Sequence, residues 1–194
     1  MKKIWLVRHG QSQSQSGEDN DVVDPELSVF GRRQAGRLVN PLQNLDLNLI
    51  LISPLRRAWQ TYQLSGVQSR RCEFDSRLIE SDWGIANWYQ DILPVSLPDL
   101  AEPDRHNAWL EPVERRTAEL VADLLTTPHE NILLFGHWGI FNHIFAEFVR
   151  IDLKKISVKA PMDNTAISLL EIDSDKNHII RYWNDRAHVA DILP

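Results

Sequence analysis

The chain has 194 residues, 43% hydrophobic and 25% charged, and its 21 basic against 27 acidic side chains leave a net charge of −6. That apolar fraction excludes a disordered chain, and the acidic balance argues against a broad nucleic-acid-binding face, which needs a basic surface. No run approaches the ~20 apolar residues of a membrane span, and the single cysteine, Cys72, cannot form an internal disulfide, which fits a reducing, cytoplasmic setting.

Ile4–Val7 is an apolar run of strand type, too short for a helix. Lys2 and Lys3 precede it, but the run is shorter than the roughly 7–15 residues of a signal segment. Gln11 to Gly17 is polar without a period and reads as a loop. Ser28 is placed to cap a helix running to about Leu38, and Pro41 stops or kinks it. Leu45–Ile52 reads as a strand buried on both faces, as in a parallel sheet. Ser53 and Pro54 then read as N-cap and first position of a helix through Thr61 and Leu64.

Residues 82–104 carry Trp, Pro and Asp without a period and read as a long irregular binding loop or lid. Pro112 opens a helix with an apolar face of Val113, Leu120, Val121, Leu124 and Leu125. Ile132–Phe135 is a second buried strand, followed by a helix from Ile140 to Val149. Ile156–Val158, Ala166–Ile172 and His178–Trp183 are strand-like, with a turn over Asp173–Asn177 between the last two. Strands alternating with helices predict an α/β layered domain, and neither a repeat nor a linker divides residues 1–194.

His9 directly follows the first strand and His137 directly follows Ile132–Phe135. Ligands of an open parallel sheet bind beyond the carboxyl ends of its strands, so both histidines belong to one edge. Arg8 adjoins His9, and Arg57 lies just after the 45–52 strand. Two guanidinium groups and two imidazoles together imply an anion, and the guanidinium fork matches phosphate oxygens. A histidine in that company can attack phosphorus, and Glu80 is a candidate proton donor for the leaving oxygen. Taken singly, each histidine also reads as a hydrogen-bonded core residue and Arg57 as a solvated helix residue.

The ordered set of motifs carries more. Leu6-Val7-Arg8-His9-Gly10 resembles the signature of the histidine phosphatase (phosphoglycerate mutase-like) superfamily. Leu27-Ser28-Val29-Phe30-Gly31-Arg32-Arg33-Gln34-Ala35 and Ser53-Pro54-Leu55-Arg56-Arg57-Ala58-Trp59-Gln60-Thr61 are similar to its next two elements. Leu78-Ile79-Glu80 with Trp83-Gly84, Phe135-Gly136-His137 and Asn184-Asp185-Arg186-Ala187-His188 follow in family order. The resemblance is to the bacterial phosphatase branch.

It implies a three-layer α/β/α sandwich with a mostly parallel sheet. It implies His9 as the nucleophile that becomes phosphohistidine, with Arg8, Arg57 and His137 on the phosphoryl group and Glu80 as proton donor. No metal or other cofactor is implied, and the expected partner is a small-molecule phosphate ester. The expectation includes no nucleic-acid or membrane partner, and a monomer or homodimer. Gln15 stands where many members have a phosphate-binding Asn, Trp138 where Gly usually follows the second histidine, and Asn142 where Arg is frequent. Gln15 and Trp138 are therefore the candidate substrate-binding positions. Gln11-Ser12 replaces Glu-Thr, and Ala86-Asn87-Trp88 replaces Trp-Glu-Gly. Mutases of the superfamily carry basic residues after the acid, whereas residues 81–104 hold no Lys or Arg, so hydrolysis is favoured over mutase-type transfer or mere phospho-ligand binding. Seven tryptophans against three tyrosines divide into Trp5 and Trp59, assigned to the core, and Trp83, Trp88 and Trp138, which could wall an apolar pocket, with Trp109 nearby.

Overall fold

The computed structural model describes residues 1–18, 24–80, 112–153 and 159–193. In chain order these form β1 (Lys2–Arg8), α1 (Gln13–Ser16), α2 (Val29–Gly36), α3 (Val39–Leu42), β2 (Leu49–Ile52), α4 (Arg56–Ser65) and β3 (Cys72–Phe74). A 3-10 turn at Ser76–Leu78 is followed by α5 (Val113–Thr126), β4 (Asn131–Gly136), α6 (Trp138–Val149), β5 (Ile167–Ile172), β6 (His178–Asp185) and a second 3-10 turn at Ala187–Val189. The strands make one six-stranded sheet in the order β3-β2-β4-β1-β5-β6. β3, β2, β4 and β1 run parallel, and β5 and β6 are antiparallel to their neighbours.

Strand side chains alternate between faces, and here both faces are apolar. Ile4, Leu6, Leu49, Leu51, Ile132 and Leu134 pack against Leu120, Val121 and Leu124 of α5 and Ile140, Phe141, Ile144 and Phe148 of α6. Trp5, Val7, Ile50, Ile52, Leu133 and Phe135 pack on the other face against Leu38, Leu42, Trp59 and Tyr62. The fold is thus the expected three-layer α/β/α sandwich with a mostly parallel sheet.

Register then positions the functional edge. Arg8 pairs with Gly136, so His9 and His137 leave adjacent strands at the same level. Ile52 pairs with Phe135 on the other side of β4, which brings Ser53 to that edge as well. Backbone bonds continue past the strand ends: His9 donates to the Gly136 carbonyl (2.9 Å) and Ser53 to that of Phe135 (2.9 Å).

Several boundaries differ from expectation, each for a local reason. Ser53 does not cap α4; the helix starts at Arg56 behind Leu55, and the Ser53 hydroxyl lies 2.8 Å from His137 Nε2. The Asp24 carboxylate takes the capping role, accepting from Arg56 N–H at 3.1 and 3.0 Å. The 11–17 loop contains one helical turn, α1, closed by a Ser12–Gln15 capping box and by Gly17 at φ 78°. β2 begins at Leu49 rather than Leu45, because Leu45 and Leu47 direct their N–H groups into turns (3.1 and 3.0 Å) while their side chains still join the core. Ser28 does cap α2, accepting from Gly31 N–H at 2.9 Å, but the helix ends at Gly36 and Pro41 sits inside the separate turn α3. α6 starts two residues earlier than Ile140. Leu125 is exposed rather than on the apolar face of α5. β3 is a strand that the sequence pattern does not announce. Ile156–Val158 and the 82–104 segment lie outside the described residues.

The loop after β1 crosses α2 at very close range. A Cβ on Gly31 would stand 2.0 Å from the Gln11 carbonyl oxygen, and one on Gly10 would stand 2.6 Å from that of Gly31. Both obstacles are backbone, so neither side can yield cheaply. Gly31→Ala is therefore expected to lower stability by about 1–3 kcal/mol. The check is a lower denaturant midpoint at unchanged m-value.

Candidate active site

His9 is buried just past β1. Its Nδ1 lies 2.6 Å from the Gly10 carbonyl oxygen, which can only accept, so Nδ1 carries the hydrogen and Nε2 keeps its lone pair. Arg57 Nε approaches that Nε2 at 3.4 Å. The His137 ring stands 5.0 Å from the His9 ring, tilted by 56°. Burial, then Arg57 and then Arg8 hold His9 well below the ordinary histidine value. Burial, then Arg57, His9, Arg8 and Arg116 do the same for His137. Both rings are therefore neutral at neutral pH, and the neutral form is the nucleophilic one.

The cations are held from behind by the protein. Arg8 Nη1 donates to the Met162 carbonyl at 2.6 Å. Burial lowers its pKa, but a guanidinium remains charged. Arg57 is buried and pairs with the equally buried Asp24 at 3.6 Å. Burial raises the Asp24 carboxyl, against the Arg56 N–H bond and the Arg57 charge, which pull it down. Asp24 thus does two things at once: it caps α4 and neutralises the first turn's Arg57.

Glu80 lies at the start of α6. Its oxygens accept from Ile140 N–H at 3.0 Å and Gly139 N–H at 3.3 Å, two of the donors that a helix N-terminus leaves open. Its main chain is fixed by Arg116 of α5, which is buried and donates to the carbonyls of Glu80 (3.2 Å) and Ser76 (3.4 Å). Arg8, His9, Arg57, Glu80 and His137 therefore meet at one edge of the sheet.

A collar between residues 160 and 165 closes the β1 side. Thr165, at φ 59°, donates its N–H to the carbonyls of Arg8 (3.1 Å) and His9 (3.2 Å). Asn164 Nδ2 donates to the His9 carbonyl (3.0 Å) and to Gln15 Oε1 (3.2 Å). The C-terminal motif supports the collar: Asn184 binds Asp163 through both ends of its amide (2.7 and 3.0 Å), Arg186 pairs with Asp163 (3.2 Å), and His188 contacts the Thr165 hydroxyl (3.3 Å).

The two candidate substrate-binding positions are placed differently from one another. Gln15 is exposed, with its carbonyl oxygen committed to Ser12 N–H (3.0 Å) and Asn164; its amide nitrogen has no protein acceptor among the described residues. Trp138 is half-buried on the core, and its indole N–H donates to the Ala160 carbonyl at 3.0 Å. Asn142 takes the other side of the same residue, accepting from Ala160 N–H at 2.7 Å and donating to the Trp138 carbonyl at 2.8 Å. Trp83 and Trp88 lie outside the described residues.

Among the described residues, Arg8 Nε and His137 Nδ1 are buried with no protein hydrogen-bond partner; the first is a donor, and the role of the second depends on the ring's tautomer. A buried polar group left unmatched costs about 1–3 kcal/mol, and unmatched nitrogens in a site that holds two guanidinium groups suit a bound anion. A comparison with known families fits that chemistry: residues 4–186 match the model of the histidine phosphatase superfamily, branch 1.

The chain belongs to the histidine phosphatase superfamily. It is a phosphatase by that kinship. Phosphoserine phosphatase 1 of Hydrogenobacter thermophilus is 24% identical, over 98% of this chain and 96% of that protein. Glucosyl-3-phosphoglycerate phosphatase of Mycobacterium tuberculosis is 26% identical, over 99% of each. The solved α-ribazole phosphatase of Shigella flexneri superposes with a TM-score of 0.67 at 20% identity, covering 95% of this chain and 97% of that one. Among the described residues, no helix is long and apolar enough to cross a membrane.

Sequence reasoning missed Asp24, Ser53 and Arg116 as parts of this histidine phosphatase site. Asp24 precedes Pro25 in a stretch without a motif, and Arg116 reads as one of two basic residues opening α5. Ser53 offered a signal that pointed elsewhere, since Ser-Pro before a helical run reads as a cap.

The neutral histidines set an acid limit on stability. Unfolded imidazoles titrate near 6.5, and His9, His137 and His188 all lie lower in the folded chain. Between the two values the unfolded chain binds more protons, so stability is full above about pH 6.5 and is lost as pH falls. The denaturant midpoint should drop between about pH 7 and pH 5.5, and the drop should be smaller in His137→Gln.

Proposed function

We propose that the protein is a metal-independent phosphomonoesterase of small-molecule phosphate esters that works through a phosphohistidine on His9. The observation that carries this reading is the His9 ring itself. Its Nδ1 hydrogen is committed to the Gly10 carbonyl at 2.6 Å, which leaves the Nε2 lone pair among Arg57, Arg8 and His137.

The steps follow from those groups. The phosphoryl oxygens bind to Arg8, Arg57 and His137. Nε2 of His9 attacks phosphorus in line, the bond to the ester oxygen breaks, and Glu80 gives that oxygen a proton. The phosphorylated ring becomes cationic, and the Gly10 carbonyl on its Nδ1 hydrogen stabilises that charge. Glu80, now a carboxylate, takes a proton from water, whose oxygen attacks phosphorus. Inorganic phosphate leaves and His9 is restored. Charge on the equatorial oxygens is met by fixed cations, which is where the catalytic effect of phosphoryl transfer mainly lies.

The relatives' names support small phosphate esters as the substrate class: phosphoserine, glucosyl-3-phosphoglycerate and α-ribazole phosphate differ in the alcohol and share the phosphomonoester. Gln15 is assigned to the phosphoryl group through its uncommitted amide nitrogen, and the exposed part of Trp138 to the alcohol portion.

The test uses EDTA-treated protein and a panel of phosphomonoesters that includes p-nitrophenyl phosphate and phosphoserine. Turnover should persist in EDTA, and His9→Ala should lower kcat by at least ~1000-fold. Rapid alkaline quenching during turnover should trap one phosphohistidine, absent from His9→Ala. An inert panel, or a variant that turns over normally, would sink the reading.

A further inference from the structure

His137 has two ring nitrogens in unlike surroundings. Nε2 lies 2.8 Å from the Ser53 hydroxyl, while Nδ1 is buried with no protein partner among the described residues. Ser53 is fully buried, and its oxygen also accepts from Leu55 N–H at 3.4 Å. The hydrogen of the serine has no acceptor among the described contacts except His137 Nε2.

Only one arrangement pairs Leu55 N–H, the Ser53 hydroxyl hydrogen and His137 Nε2 together, leaving Nδ1 for a ligand. Leu55 N–H donates to Ser53 Oγ, Ser53 O–H donates to His137 Nε2, and the hydrogen of the neutral ring then sits on Nδ1. In the reverse arrangement, His137 Nε2–H donates to Ser53. The serine hydrogen is then stranded in the interior, and Nδ1 presents a lone pair. A lone pair there would repel a phosphoryl oxygen, whereas an N–H would bind it. Arg8 Nε, also buried without a protein partner among the described residues, can only be a donor, and Arg8 acts electrostatically on His137, so an N–H at Nδ1 would agree with it in sign.

We propose that Ser53 is a positioning residue that locks neutral His137 in the Nδ1–H tautomer, so that the second histidine donates a hydrogen bond to the phosphoryl group without carrying a charge. This rests on the phosphatase reading for its catalytic meaning, but the tautomer itself can be read without turnover. The device also explains why the Ser-Pro pair is not spent on capping α4: Asp24 caps that helix, and the serine is released for the histidine.

The experiment is a long-range proton–nitrogen NMR spectrum of the nitrogen-15-labelled full chain at neutral pH, with His137 assigned by the loss of its signals in His137→Gln. The expected result is a protonated Nδ1 and an unprotonated Nε2, with the Nδ1 signal moving on addition of inorganic phosphate. Ser53→Ala should give a tautomer mixture and lower kcat roughly 10- to 100-fold, with KM changed far less, because a donor is lost where charge builds up. Ser53→Thr keeps the hydroxyl and should restore both the tautomer and kcat. A protonated Nε2 in the native protein overturns the proposal, as does an unaltered tautomer in Ser53→Ala. If Ser53→Ala does not fold, the native spectrum and Ser53→Thr still decide. A protein inactive on every ester but showing the Nδ1–H tautomer would refute the phosphatase reading and leave the lock standing.

Discussion

The constraint that governs this structure is the burial of two guanidinium groups beside two imidazoles. Four protonated groups at that spacing would repel one another in a medium that screens poorly. The chain resolves this by letting only the arginines carry charge. Burial and the arginines push both histidines toward the neutral form, and the neutral rings are those that can attack or donate. Three carboxyl groups stand around the arginines. Asp24 is buried against Arg57, Asp163 stands near Arg8, and Glu80 is turned onto the N–H groups of α6. The two guanidinium groups nonetheless stay charged, so donors suited to an anion are held at this spot although the whole chain carries −6. Overall charge governs broad surfaces, and a pocket built from two arginines follows its own sum.

Such a cluster has to be held by backbone, because side-chain restraints alone would let the cations spread. Arg8 is tied to the Met162 carbonyl and His9 to its own neighbour's. The β1 exit is clamped on one side by the Gly10–Gly31 crossing and on the other by Thr165. Both clamps are main chain, so the motif glycine Gly31, which has no side chain to offer, still belongs to the site through the backbone that it packs beside His9. The C-terminal Asn184–His188 segment has a similar standing. It touches no group of the cluster directly, but it fixes Asp163 and Thr165, and through them the strand that carries Arg8 and His9.

How much of this was legible in the sequence depends on whether the partner is local. Two-sided apolar runs such as Ile132–Phe135 announced parallel strands, and strand-end positions put His9 and His137 on one edge. The Ser28 cap was readable because donor and acceptor lie three residues apart. The Ser12–Gln15 capping box was equally local and could have been read from its Ser-x-x-Gln spacing. Ser53, Asp24 and Arg116 were not readable, because their partners are brought in by tertiary contact: His137, Arg57 and Glu80 lie 84, 33 and 36 positions away. Propensity assigned Ser53 to the nearest helix. Packing gave that helix a distant carboxylate and gave the serine a buried imidazole, which has fewer alternatives. β3 was missed for a related reason, since three residues at a sheet edge carry too little pattern to register.

The departures from the family motifs show the same logic at smaller scale. Trp138 replaces a usual glycine and Asn142 a frequent arginine, and each taken alone looks like a threat to the site. In the fold they act on one residue: the indole N–H holds the Ala160 carbonyl and the Asn142 amide holds the Ala160 N–H. Ala160 leads directly to Met162, whose carbonyl restrains Arg8. A large ring at the first turn of α6 is therefore absorbed into the framework that holds Arg8. The two substitutions make sense as a pair: removing either would leave one backbone polar group of Ala160 without its partner, while the other side chain still held the adjacent peptide unit. The Trp138 indole and the Arg8 guanidinium are thus positioned through one short stretch of backbone, Ala160 to Met162, so a shift of either is passed to the other.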